Sequence, residues 1–142
     1  MLTVPLSAGL TMLTGSWQAG LLCFIAGVLI DLDHGIEYLI HYGLNTFNFK
    51  EIYQICNNFA KFRKEGQKFF LFFHALEIAI LLWIAYLFWQ NIYVLSFAIG
   101  YTGHLFLDVT GNILKPSAYF ISSRIKNRFT LISFLKDSEI NH

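Results

Sequence analysis

Residues 69–111 read FFLFFHALEIAILLWIAYLFWQNIYVLSFAIGYTGHLFLDVTG. They contain two apolar runs, 69–89 and 92–111, which are separated only by Gln90 and Asn91. Because an α-helix rises about 1.5 Å per residue, each run is long enough to cross the roughly 30 Å hydrocarbon core of a bilayer. Two spans joined by so short a link must lie antiparallel. This stretch therefore predicts a transmembrane helical hairpin.

The composition of the whole chain also indicates a membrane protein. Of its 142 residues, 56% are hydrophobic and only 13% are charged, whereas soluble domains carry about 25% charged residues. The formal net charge of +1 excludes a strongly basic nucleic-acid-binding domain, so we expect no nucleic acid partner. Two cysteines, Cys23 and Cys56, do not make a disulfide framework. We expect a single membrane domain covering residues 1–142.

The N-terminal part of the chain adds at least one more span. Residues 4–30 contain no charged side chain. They predict a span over about 16–34, preceded by an element over 1–14 that is either re-entrant or a first helix. The expected fold class is all-α, a small polytopic membrane bundle of three to four membrane helices.

The ten basic residues occur in only two places, the connection 43–68 and the tail 112–142. Segments rich in Lys and Arg stay on the cytoplasmic side, so both segments, and with them the C-terminus, are expected to be cytoplasmic. Residues 49–65 place apolar side chains on one helical face and polar ones on the other, which predicts an amphipathic helix lying on the membrane surface. The basic tail is expected to lie there too. Anionic lipid headgroups are the expected partners of these basic residues.

Most of the acidic and histidine side chains form three short stretches at the ends of the apolar runs. They are Asp31, Asp33, His34 and Glu37, then His74 and Glu77, then His104 and Asp108. The predicted topology brings all three stretches to the cytoplasmic side at a similar depth. A charged side chain near the bilayer centre costs about 2.5–3.5 kcal/mol on insertion scales, so such a cluster indicates a functional site.

The residue types of this cluster suit a metal ion. Imidazole and carboxylate ligands without thiolate fit Zn²⁺, Mn²⁺ or Fe²⁺, and helical bundles build dimetal sites from such pairs. We predict one or two divalent ions, with Zn²⁺ and Mn²⁺ as the foremost candidates. The predicted ligands are Asp31, Asp33, His34, His74, His104 and Asp108, and the predicted general base is Glu77 or Glu37. The alternative is a set of buried ions that only fixes helix packing.

Two motifs carry a resemblance to a known family. Gly27-Val-Leu-Ile-Asp-Leu-Asp-His34 and Gly100-Tyr-Thr-Gly-His-Leu-Phe-Leu-Asp108 resemble the Asp-x-Asp-His and Gly-x-x-x-His-Leu-x-x-Asp motifs of the bacterial integral-membrane metal-dependent hydrolases. The resemblance covers roughly residues 20–111. The middle motif departs from the family, whose members often carry His-Arg followed by a second His. Here it reads Phe73-His74-Ala75-Leu76-Glu77, with Glu77 in place of a second ligand.

The resemblance implies a hydrolase in the bacterial cytoplasmic membrane. Together with a site near the cytoplasmic headgroups, it leads us to expect cleavage of a phosphoester in a membrane lipid or lipid-linked substrate by metal-activated water. A metal-ion or proton transporter is one alternative, although the outer halves of the spans lack the polar residues that passage would need. A non-catalytic membrane partner protein is another. Assembly into a homo-oligomer stays open.

Overall fold

The structure is a computed structural model that describes residues 3–43, 50, 70–111 and 114–135. Within these residues the chain is mainly α-helical and has no β-strand, which confirms the predicted all-α class. The predicted interfacial helix over 49–65 lies outside the described residues, apart from Lys50. The α-helices are α1 (Thr3–Thr14), α2 (Trp17–Leu29), α3 (Leu32–Tyr42), α4 (Leu76–Trp89), α5 (Ile92–Gly111) and α6 (Ile121–Lys126), and 3₁₀ helices occupy Pro116–Tyr119 and Leu131–Phe134.

Two helical stretches are long and apolar enough to cross a membrane, Trp17–Glu37 with 21 residues and Ile92–Gly111 with 20. The first passes from α2 into α3 through a turn at Ile30 and Asp31. Helices α1 and α4, with 12 and 14 residues, extend only about 18 and 21 Å at 1.5 Å per residue. The predicted total of three to four membrane helices stays a prediction.

Helix α4 begins at Leu76, whereas the sequence predicted a helical span from residue 69. The preceding segment, residues 70–75, is irregular. Its backbone N–H groups are engaged by side chains from other elements: the Asp33 carboxylate and the Tyr101 hydroxyl accept hydrogen bonds from them. Because these N–H groups point to side-chain acceptors, the segment does not continue the helix towards the N-terminus.

The predicted hairpin is present in α4 and α5. Gln90 ends α4 in the left-handed conformation, with φ 45° and ψ 34°, and its N–H bonds to the carbonyl of Tyr86 at 2.7 Å. The two helices then run antiparallel, and the indole Nε1 of Trp83 donates to the hydroxyl of Thr102 across them at 3.0 Å.

Helices α2 and α5 pack with their backbones in close contact. A Cβ atom at Gly100 of α5 would overlap the backbone carbonyl of Cys23 in α2. Helix α1 approaches α2 in the same way, since a Cβ at Gly20 would overlap the side chain of Thr11. Small residues at such crossings are typical of helices that associate in membranes. The close packing of α2 and α5 fixes the distance between the Asp31 turn and the middle of α5.

The C-terminal segment, which we define as residues 114–135, is part of the core. Tyr119, Leu131 and Phe134 are buried and join one hydrophobic cluster with Ala26 of α2 and Tyr101 of α5. We expected only a basic tail on the membrane surface. The described part differs because its apolar side chains pack against the end of the bundle at which the predicted site lies.

Large apolar side chains cover much of the outer surface. Leu87 and Phe88 of α4 are 70% and 83% exposed, and Phe106 of α5 is 63% exposed. So many exposed large apolar side chains are unusual on a soluble monomer and are typical of a surface that contacts lipid or another protein.

Candidate metal centre

Three elements bring the predicted ligands together. The turn between α2 and α3 carries Asp31, and the start of α3 carries Asp33 and His34. The irregular segment 70–75 supplies His74, and α5 supplies His104 and Asp108 one turn apart. The site therefore forms only when the two candidate spans pack against each other and against the segment that precedes α4.

The cluster is held by short contacts between histidine nitrogens and carboxylate oxygens. His74 Nε2 lies 3.0 Å from Asp108 Oδ2. His104 Nε2 lies 3.3 Å from the same oxygen, as expected for an i,i+4 pair, and 3.2 Å from Asp31 Oδ1. The His74 ring centroid is 4.9 Å from that of His34 and 6.0 Å from that of His104. The predicted convergence of His34, His74, His104, Asp31 and Asp108 is thus present in the structure.

Asp31, His74 and His104, which we call the triad, could hold a metal ion. One ligand atom from each member lies within 4.8 Å of the others. Ligand atoms about 2.0–2.2 Å from a Zn²⁺ ion lie roughly 3.3–3.6 Å apart in tetrahedral geometry. The nitrogen–oxygen separations of 3.0–3.3 Å around His104 and Asp108 are close to that spacing. To surround one ion, the ligand atoms of the triad, which lie within 4.8 Å of one another, would take up that spacing.

Three buried atoms of the cluster have no hydrogen-bond partner among the described residues: His34 Nδ1, His74 Nε2 and Asp108 Oδ2. When His74 donates from Nδ1 to Asp33, its Nε2 carries a lone pair, so Nε2 and Asp108 Oδ2, which lie 3.0 Å apart, are both acceptors. Leaving a buried polar atom unpaired costs about 1–3 kcal/mol, so native structures rarely contain several together. A cation between His74 Nε2 and Asp108 Oδ2 would satisfy both of these atoms, because each carries a lone pair in a suitable protonation state.

Asp33 occupies a different position from the other predicted ligands. Its Oδ2 accepts hydrogen bonds from the backbone N–H groups of Phe73 and His74, the latter at 3.1 Å, and lies 3.3 Å from His74 Nδ1. The side chain is buried. A carboxylate on the far ring nitrogen fixes the tautomer and orientation of a metal-binding histidine. The contacts of Asp33 are those of a residue that orients His74 and leaves Nε2 directed at Asp108.

The two predicted bases lie in different environments. Glu37 is buried, and its Oε1 accepts a hydrogen bond from the Phe70 N–H at 3.3 Å, at the start of the His74 segment. Glu77 accepts hydrogen bonds on both oxygens, from the N–H groups of Ile121 and Ser122 at 3.0 and 3.1 Å and from the Ser122 hydroxyl at 3.1 Å. Glu77 therefore caps the N-terminus of α6 and attaches the C-terminal segment to α4.

Arg124 is a residue of the site that the sequence did not reveal. Its side chain is 1% exposed, and it donates hydrogen bonds to the backbone carbonyls of Ala118, Leu71 and His74. Burial lowers the pKa of the guanidinium from its ordinary value, while the nearby carboxylates of Asp33 and Glu77 raise it. Arginine remains charged even so. No sequence pattern separates it from the other basic residues of the tail.

Two tyrosines also fix the backbone around the cluster. The Tyr101 hydroxyl donates to the carbonyl of Phe73 at 2.5 Å and accepts from the N–H of Ala75 at 3.4 Å. The Tyr119 hydroxyl donates to the carbonyl of Asp108 at 2.8 Å. The backbone on both sides of His74 and at Asp108 is therefore fixed by side chains from α5 and the C-terminal segment.

Comparisons with protein families, with curated proteins and with solved structures gave no match to this chain. The resemblance to the membrane metal-dependent hydrolases therefore stays a prediction that rests on the motif residues.

Proposed function

We propose that this protein is a membrane-embedded, metal-dependent hydrolase that cleaves a phosphoester of a lipid or lipid-linked intermediate. The reaction is placed at the cytoplasmic face of the bacterial cytoplasmic membrane. The observation that carries the proposal is the convergence of the triad with Asp108 around buried nitrogen and oxygen atoms that lack hydrogen-bond partners in the described chain. Because buried polar groups in proteins are mostly hydrogen-bonded, these atoms favour a bound cation over an ion-pair network that serves only packing.

Four side chains are the proposed ligands of one Zn²⁺ or Mn²⁺ ion: Asp31, His74, His104 and Asp108. His34 is a proposed fifth ligand, because its ring centroid lies 4.9 Å from that of His74 and its buried Nδ1 has no hydrogen-bond partner among the described residues. Imidazole and carboxylate donors of this kind suit either metal. When bound, the metal supplies Lewis acidity towards a phosphoryl oxygen and increases the acidity of water.

The other residues act on protons and on orientation. Asp33 keeps the His74 imidazole in the tautomer whose Nε2 lone pair is directed into the cluster. Glu37 is the proposed general base, because its carboxylate is buried beside the His74 segment. Glu77 is the less favoured base, since both of its oxygens already accept hydrogen bonds from α6.

A lipid substrate is supported by the position and accessibility of the cluster. The side chain of Asp31 is 41% exposed, whereas that of His74 is 1% exposed, so the cluster is open on the Asp31 side and closed behind. Asp31 and Asp108 both lie towards one end of a candidate span. A lipid substrate bound in this way would have its phosphate group near the headgroup level of the bilayer and its hydrocarbon chains beside the helices.

The proposed activity is tested by phosphate release from long-chain lipid phosphates in phosphatidylcholine vesicles that contain the purified protein. We expect release after loading with Zn²⁺ or Mn²⁺, and its loss both with a chelator and in His104→Ala. His142→Ala, a change at the end of the sequence, is the matched histidine control and should retain activity. Release that persists in His104→Ala with chelator, or no release from dialkylglycerol and isoprenyl phosphates alike, contradicts the proposal.

A further inference from the structure

A cavity of about 300 Å³ lies between α2, α3, α4 and α5. Its accessible lining is wholly apolar. The walls include Leu29 and Ile30 at the end of α2, Leu32 at the start of α3, Phe73 before α4, and Phe97 of α5. The volume is at the lower end of the range of small-molecule sites, about 300–1,000 Å³.

Residues that line the cavity are close in the sequence to each of the three triad residues. Asp31 stands between Ile30 and Leu32, and His74 follows Phe73 directly. Tyr101, which also lines the cavity, lies one helical turn before His104 and bonds to the Phe73 carbonyl. The cavity wall and the triad therefore share three stretches of backbone, so a long-chain molecule bound in the cavity could extend its head group to the triad.

The cavity is also open to the outer surface. Leu29, Leu32 and Phe73 are 40%, 52% and 43% exposed. The first two belong to the candidate span Trp17–Glu37. In a bilayer these side chains meet hydrocarbon rather than water, and an apolar cavity does not hold ordered water. Its natural occupant is a hydrocarbon chain that enters sideways from the membrane.

We propose that this cavity binds the hydrocarbon chain of the substrate lipid while the phosphate of the same molecule lies at the triad. Only the binding of the phosphate at the triad rests on the proposed function, whereas the binding of the chain in the cavity does not. A chain gains no hydrophobic free energy on leaving a bilayer, because lipid tails are as apolar as the cavity wall. Preference for the substrate therefore needs both ends, with the phosphate at the metal and the chain packed in the cavity.

The test uses a long-chain alkyl phosphonate with a photoactivatable diazirine in the middle of the chain, in phosphatidylcholine nanodiscs containing the metal-loaded protein. Cross-linked residues are mapped by mass spectrometry. We expect labelling at Leu29, Phe73 and Phe97. Leu29→Trp, which fills the cavity, should lower that labelling about tenfold, equivalent to about 1.4 kcal/mol of lost binding. Leu21→Trp is the matched control, because Leu21 lies on the exposed surface of the same helix and outside the cavity lining.

Phe97→Trp fills the cavity from α5 and should have the same effect as Leu29→Trp, which guards against a local defect in either helix. The two variants and the control are in the same kind of bilayer. Partitioning of the probe into the membrane is therefore equal in all three and does not affect the comparison of their labelling. Labelling that is spread evenly over the outer faces of α2 and α5, or that is equal in Leu29→Trp and Leu21→Trp, would overturn the proposal.

A second probe with a hydroxyl in place of the phosphonate distinguishes the substrate chain from ordinary bilayer lipid. We expect it to label the cavity weakly, whereas equal labelling by both probes would overturn the link to the triad. Because a phosphonate is not hydrolysed, its binding does not depend on catalysis. Cavity labelling without any phosphate release from lipid phosphates would support this inference and contradict the proposed hydrolase. Phosphate release without cavity labelling would support the hydrolase and overturn this inference.

Discussion

Replacing Asp33 with Asn tests whether Asp33 orients the ligand His74 or binds the metal itself. The amide keeps one oxygen that can accept the backbone hydrogen bonds of Phe73 and His74, but it removes the negative charge 3.3 Å from His74 Nδ1. Loss of such an outer partner lowers metal affinity about 10- to 100-fold. This corresponds to about 1.4–2.7 kcal/mol of binding free energy.

Removing a direct ligand should have a larger effect. Structural Zn²⁺ sites with four ligands bind with about 10–16 kcal/mol, so one ligand averages about 2.5–4 kcal/mol. That range corresponds to a loss of roughly 70- to 900-fold in affinity. His74→Ala should fall within it or beyond it, and Asp33→Asn should retain clearly measurable binding.

The assay is a competitive titration of the purified protein with Zn²⁺ and a chromophoric chelator. Asp137→Asn makes the same chemical change outside the three stretches that carry the predicted ligands and should leave the affinity unaltered. If Asp33→Asn loses as much affinity as His74→Ala, Asp33 is itself a ligand and the assigned role is wrong. If the Zn²⁺ affinity of Asp33→Asn is within about twofold of wild type, the contact between Asp33 and His74 does not influence metal binding. That result would contradict the orienting role, because loss of such a partner normally lowers metal affinity.

Three further substitutions test the packing around the cluster. Arg124→Gln should reduce the free energy of unfolding by about 3 kcal/mol or more, because the backbone carbonyls that the guanidinium binds become unpaired. A thermal melt in detergent that matches wild type would refute this. Gly100→Ala should lower stability by about 1–3 kcal/mol, since the new Cβ overlaps the Cys23 carbonyl, while Gly111→Ala, whose Cβ would meet no atom of the described residues within 4 Å, should not. Glu77→Gln should weaken attachment of the C-terminal segment by about 0.5–2 kcal/mol, seen as faster proteolysis after residue 114, and unchanged cleavage rates would argue against the cap.

The hairpin and much of the cluster could be predicted from the sequence because they depend on local patterns. The two apolar runs and the short link at Gln90 specify antiparallel helices. The i,i+4 spacing specifies that His104 and Asp108 share a face, as they do in the structure. Such features follow from helix geometry and need no knowledge of distant residues.

The features that sequence reasoning missed depend on contacts between distant parts of the chain. The helical pattern extended α4 back to residue 69, because nothing local reveals that Asp33 and Tyr101 take up the N–H groups ahead of Leu76. Asp31 and Asp33 look equivalent in the motif, yet they differ in burial and contacts. The role of Arg124 arises from residues 50 and more positions away.

The decisive measurement is the metal content of the wild-type protein, purified without chelator and then reconstituted with Zn²⁺ or Mn²⁺. Elemental analysis should find about one divalent ion per chain, as one triad with Asp108 and His34 would hold, and much less in His104→Ala. A chain that holds no stoichiometric metal before or after reconstitution would contradict the account, as would a His104→Ala variant that retains the full amount.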